Sequence, residues 1–258
     1  MDKKELQNPA LYTNRELSWL LFNKRVLSEA RDKQLLLFER LKFLSITASN
    51  LDEFFMVRIG SLVDMIHAEY TKKDIAGMSA KEQLDALMEE THKFAALQYS
   101  TYNRMLLPQL RANGLNFVEH HEQLTERQAQ YVDEYFEENV YPVLTPMAVD
   151  SSRPFPLIRN KTLNIGALVA KKGEKDTEIE FATVQVPSVL PRVVRIPAAK
   201  EGDTEVAVLL LEEIIERNIS KLFLNYNVLC AHPFRITRNA DLAIDEDEAE
   251  DLLLEIEK

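Results

Sequence analysis

A polar break, Ser49-Asn50 followed by Asp52-Glu53, separates two apolar runs within the block Tyr12 to Arg58. Polar groups in that position need either a structural use or a ligand. The Asn50 carboxamide offers an acceptor and a donor side by side, the pair that matches the edge of an adenine ring. Asparagine is also a favoured helix N-cap, and Asn50 with Glu53 three residues on imitates a capping box. As a cap it would put Asp52 and Glu53 in a first helical turn, where negative charge suits the dipole. Arg58 lies about two turns further on, where it could hold a phosphate or pair with an acid.

Other candidates for chemistry are sparser. Six glycines form no GxGxxG and no glycine-rich Lys-Ser/Thr loop, so a phosphate cradle is absent from the sequence. There is no HExxH and no cysteine pair, so spacing suggests no metal ligand. His120 and His121 are adjacent, and on either a helix or a strand their rings would diverge. His67 and His92 fall in helical patterns and read as surface or packing residues. His232 stands beside Pro233 in a strand-like run. Arg235, Arg238 and Asp241 cluster, with Arg235 and Thr237 on one face of that strand, as a polyanion contact or a structural ion pair. The other basic residues of the first block (Arg15, Lys24, Arg25, Arg40 and Lys42) read mostly as solvated.

The elements that must position these groups fall into two textures. Thr13-x-x-Glu16 reads as a capping box opening a helix through Leu17, Leu20, Leu21 and Leu27. A second helix is expected from Leu35 to about Thr47, and a third from Asn50 through Phe54, Val57, Leu62 and Met65. Ser79-x-x-Glu82 caps a long helix, with a kink or end at Pro108 and a stop at Gly114. Residues 1–112 therefore read as an all-helical bundle.

From residue 113 the pattern is α+β. Leu115–Val118 is strand-like, and Thr125-x-x-Gln128 caps a helix that ends before Pro142. The proline-rich stretch Tyr141–Asn160 reads as an ordered or extended loop. Strands are expected at Thr162–Ala170, Glu178–Val186, Arg192–Ile196 and Val228–Thr237. Val206–Leu222 should end in an amphipathic helix, and Asp245-x-x-Glu248 should open a last one. That helix carries Leu252, Leu253, Leu254 and Ile256 without a stop signal. It suggests a chain cut short and prone to self-association.

The 258 residues carry a net charge of −11. Asp241 to Lys258 holds nine acids and one lysine, so −8 of that charge lies there and −3 elsewhere. Such acidity argues against a nucleic-acid grip. No stretch has the roughly 20 apolar residues of a membrane span. One cysteine, Cys230, excludes an intrachain disulfide framework and fits a cytoplasmic protein, with peripheral membrane association still open.

Four blocks, in order, resemble polyphosphate kinases of the histidine-phosphorylated type. They are NRELSWLLFNKRVLSEA, ERLKFLSITASNLDEFFMVR, LTPMAVDSSRPFPLIRNKTLNIG and HPFRITRNADLAIDEDEAEDLL. The resemblance implies a helical amino-terminal domain (1–112) and a head domain (113–258) used in dimer contacts. It also implies transfer of the terminal phosphate of ATP onto polyphosphate, through a phosphohistidine and with Mg²⁺. The catalytic histidines and the Mg²⁺ and phosphate ligands belong to two further domains that nothing here resembles. The resemblance places Asn50 beside the adenine of ATP and assigns no catalytic residue and no metal ligand to this chain. ATP, ADP and polyphosphate are the implied partners, in a homo-oligomer. The rival expectation is a non-catalytic helical and α+β interaction module.

Overall fold

The computed structural model describes residues 5–149, 158–173 and 179–240. They fall into two compact units, one holding the residues up to Leu106 together with those from Thr237, the other Leu107–Ile236. The architecture is α+β: helices first, then a mixed unit of helices and two sheets.

The first unit contains α1 (Arg15–Arg31), α2 (Leu37–Phe54), α3 (Gly60–His67) and α4 (Ala80–Thr101). α1 packs on α2 and α4, and α3 on α4. The expected Thr13 cap is corrected to Asn14, whose Oδ1 accepts from the backbone N–H of Glu16 and Leu17 at 3.0 and 2.9 Å. Distant partners decide this. Asn14 Nδ2 donates to Asp74 Oδ2 at 2.7 Å and Gln83 Oε1 at 2.8 Å, so a side chain only 3% exposed has every group bonded. One threonine hydroxyl has too few donors for that task.

The break expected at residues 47–50 is also absent. α2 runs through it to Phe54, then through a wide five-residue turn, Phe55–Ile59, into α3. The Ser79 capping box forms as read. α4 widens at Tyr102–Leu106, just before Pro108, whose ring and missing N–H disturb the preceding turn. The helical course resumes as α5 (Leu107–Ala112) in the second unit, and Gly114 at φ +77° ends it. Back in the first unit, the Ala240 N–H bonds Met56 O at 2.9 Å and Asn239 Nδ2 bonds Asp64 Oδ2 at 2.9 Å. Gly60 permits this approach, since a Cβ there would lie 2.6 Å from Asn239 Oδ1.

The second unit has two sheets around one core. In the first sheet, β1 (Leu115–Val118) lies parallel to β6 (Val206–Leu210), which pairs antiparallel with β5 (Val193–Ile196). The second is antiparallel, in the order β2 (Pro146–Val149), β4 (Ile179–Gln185), β3 (Asn164–Lys171), β7 (Tyr226–Phe234). β2 lies within the expected proline-rich loop, with Pro146 as first residue of an edge strand, where a missing N–H is tolerated. β7 begins two residues earlier than expected and stops at Phe234. The last expected helix and Asp241 lie outside the described residues.

The Thr125 box caps α6 (Glu126–Tyr135), and α7 (Leu211–Arg217) follows β6 directly. Phe136, Val132, Ile165, Val184, Leu209 and Ile214, all fully buried, join both sheets and both helices in one core. Two bidentate pairs brace it. Arg192 grips Glu212, with its closest contact at 2.6 Å, and Arg217 meets Asp133 at 2.8 and 3.0 Å. Arg217 holds the Asp133 carboxyl below its usual value.

Candidate functional site

Asn50 sits in the interior of α2, four residues before Phe54. On α1, Asn23 follows Trp19 by the same interval. Residues four apart share a helix face. Trp19 and Phe54 stack at 4.3 Å with a 9° interplanar angle. One turn along both helices, Asn50 Nδ2 donates to Asn23 Oδ1 at 3.1 Å. The aromatic stack thus sets the register in which the two amides meet. Asn23, fully buried, donates its own Nδ2–H to Thr47 O at 3.1 Å. Thr47 Oγ1 accepts from Gln98 Nε2 of α4 at 2.9 Å and donates to Leu44 O at 2.7 Å. Of the polar groups that suggested a break, Asn50 is tied to α1 through its Nδ2, and α2 continues through it.

This arrangement removes the capping alternative for Asn50: it is mid-helix and binds a neighbouring helix. Asp52 and Glu53 correspondingly close α2 instead of opening a helix. Asn50 is half-buried, and its Oδ1 accepts no hydrogen bond among the described residues. Ile46, one turn before, and Val57, two turns after, are 46% and 41% exposed, so an apolar margin flanks the amide. Arg58 turns to an acid, with Nε 4.0 Å from Glu16 Oε2. Lys24 pairs with Glu90 of α4 at 2.7 Å, and Arg25 lies 5.8 Å from the Phe22 ring centroid. Arg40 is buried and donates Nε to Ala30 O at 3.0 Å, against the expectation of a solvated side chain. His67 and His92 are exposed helix residues. Arg235 and Arg238 are exposed and lie beyond the end of β7.

The two adjacent histidines behave differently from expectation. His120 is extended (φ −135°, ψ 140°), and a tight turn, His121–Gln123, follows. His120 precedes a single 3₁₀ turn that His121 opens, and both rings reach Glu213 of α7. His120 Nδ1 lies 3.8 Å from Oε1 and His121 Nδ1 lies 3.2 Å from Oε2, an oxygen that also accepts the His121 backbone N–H at 3.0 Å. His232 of β7 faces Glu216 at 3.5 Å. Together with Glu122, these residues line a cleft of about 470 Å³. Burial, then the charge of Glu213, raises the Glu216 carboxyl above its ordinary value. Spacing could not reveal this cluster, because its members come from three separate elements.

Residues 12–118 match the polyphosphate kinase N-terminal domain, and residues 127–258 match the polyphosphate kinase middle domain. The chain belongs to the polyphosphate kinase family. It is 48% identical over 255 residues to the polyphosphate kinase of Halalkalibacterium halodurans, covering 98% of this chain and 36% of that protein. It is 48% identical over 247 residues to that of Lactiplantibacillus plantarum, covering 96% of this chain and 33% of that protein. The crystal structure of polyphosphate kinase from Porphyromonas gingivalis superposes with a TM-score of 0.78 at 31% identity, over 90% of this chain and 34% of that one. The chain thus spans about a third of the length of the polyphosphate kinases it matches. Among its described helices none is long and apolar enough to cross a membrane.

Proposed function

We propose that this chain supplies the adenine side of the nucleotide site in a polyphosphate kinase, an ATP:polyphosphate phosphotransferase working through a phosphohistidine. The observation that carries this reading is the state of Asn50. Its amide is held by Asn23 through Nδ2, which leaves the Oδ1 acceptor beside exposed aliphatic groups. An acceptor suits the adenine amino group, and Ile46 and Val57 suit the apolar faces of the ring.

The phosphate end of the reaction falls to other polypeptide. Phosphoryl transfer needs dense positive charge around the moving group. Near Asn50, Arg58 and Lys24 are engaged by Glu16 and Glu90. The one trio of His and Glu groups among the described residues that could hold a metal lies in the second unit, around Glu213. The residues around Asn50 therefore do not fit the family's Mg²⁺. Within this function an amino-terminal domain ends near residue 112 and a head domain runs from 113; the two family matches, 12–118 and 127–258, support two successive domains with a boundary a few residues later.

Self-association through the head domain is supported by the outer face of the four-stranded sheet. Leu168 and Cys230 face each other there, both exposed. Phe181 and Phe234 close edge-on over Gly166, where a Cβ would meet both rings within 3.2 Å.

Photolabelling with 2-azido-ATP, in an enzyme carrying this chain together with the family's remaining domains, tests the reading. Label is expected on the α2 peptide that contains Asn50. Label confined to peptides outside Leu37–Ile59 would refute it.

A further inference from the structure

The cleft around Glu213 gathers three acidic side chains, Glu122, Glu213 and Glu216, beside three imidazoles, and no lysine or arginine lines it. Glu213 and Glu216 are 12% and 16% exposed, so solvent screens them weakly. A cleft of this kind attracts cations. Its nitrogen donors select among them, since imidazole with carboxylate suits zinc-like ions, whereas Mg²⁺ and Ca²⁺ prefer oxygen alone.

We propose that His120, Glu122 and Glu213 bind a divalent cation of the zinc class, which would tie the 120–123 turn to α7. One ligand atom from each of the three lies within 4.8 Å of the others. Zinc bonds of about 2.0–2.1 Å put tetrahedral ligand atoms about 3.4 Å apart. The 3.8 Å between His120 Nδ1 and Glu213 Oε1 is already near that spacing. The remaining closure belongs to His120 and Glu122, whose side chains are 67% and 72% exposed and can rotate. Glu213 is the fixed member. The His121 N–H holds its Oε2 and leaves Oε1 directed at His120, the kind of support that orients metal ligands. Three protein ligands leave a fourth position for water.

The test uses the untagged chain, stripped of metal with a chelator and titrated with zinc chloride at pH 7.5, with binding followed by calorimetry. One Zn²⁺ per chain is expected, with Mg²⁺ unable to displace it at equal concentration. Zinc at a hundredfold excess over its dissociation constant should raise the melting temperature by about 5 °C or more. The double variant His120→Ala/Glu122→Ala, at two exposed positions, should bind at least ~100-fold more weakly with its zinc-free melting unchanged. His92→Ala should bind as the parent does. Absence of zinc uptake, equal uptake by the double variant, loss of binding in His92→Ala, or equal competition by Mg²⁺ would each overturn the proposal.

Discussion

Asn50→Ala, placed in an enzyme with the family's full set of domains, raises the Michaelis constant for ATP while leaving kcat nearly unchanged. The adenine is remote from the reacting phosphorus, so its contacts strengthen ground state and transition state alike, and their loss appears in KM. Removing one partner of a half-buried amide contact costs about 1–3 kcal/mol, roughly 5- to 150-fold in affinity. Asn23 acts as a positioning residue in the same account. Its Oδ1 holds Asn50 Nδ2 at 3.1 Å. Asn23→Ala should shift KM in the same direction by less, and should also lower stability, because Asn23 is fully buried and ties α1 to Thr47 O. Alanine at position 50 is the better helix former within α2, but it leaves the buried Asn23 Oδ1 without its donor, so some fall in melting temperature is expected either way and the Michaelis constant is what discriminates. Lower stability with an unchanged Michaelis constant would make Asn50 a strut between α1 and α2 and nothing more.

Phe54→Ala should destabilise the helical unit by about 3–5 kcal/mol, the range for truncating a fully enclosed aromatic side chain. Phe54 is 2% exposed, stacks on Trp19, and meets the Phe55 ring edge-on at 6.4 Å. Both the cavity and the lost ring contacts contribute. The chain's single tryptophan is Trp19, so its fluorescence reports unfolding of this unit. Urea titration followed at that signal should show the midpoint falling, with the parent slope retained. A loss below about 1 kcal/mol would mean that the stack does not set the register of α1 and α2, and the explanation of how Asn23 meets Asn50 would fail with it.

What could be read from the sequence follows how far each signal reaches along the chain. The Ser79 and Thr125 boxes were legible because cap and partner are three residues apart, and both formed as expected. Leu115–Val118 was legible as a short apolar run closed by polar residues, and β3 to β5 lie within two residues of their expected bounds where described. The errors came where a distant partner outweighed a local pattern. Asn14 displaced Thr13 as cap because Asp74 and Gln83 claim its amide from 60 and 69 residues away. α2 continued through Asn50 because Asn23, 27 residues earlier, accepts its proton. The cleft of histidines and glutamates could not be foreseen, since Glu213 meets His121 across 92 residues. Asn50 itself was visible as an odd polar residue, and only the packing of α1 against α2 removed its commonest explanation.

On the proposed function these residues contact the base, while phosphorus is handled by the family's other domains. Incubating the isolated chain with ATP labelled on its terminal phosphate, with magnesium, and measuring acid-labile phosphate on the protein tests it most directly. The prediction is no phosphohistidine above background, with the label returning once the remaining domains of the family are supplied. Stoichiometric acid-labile label on this chain alone would contradict the account.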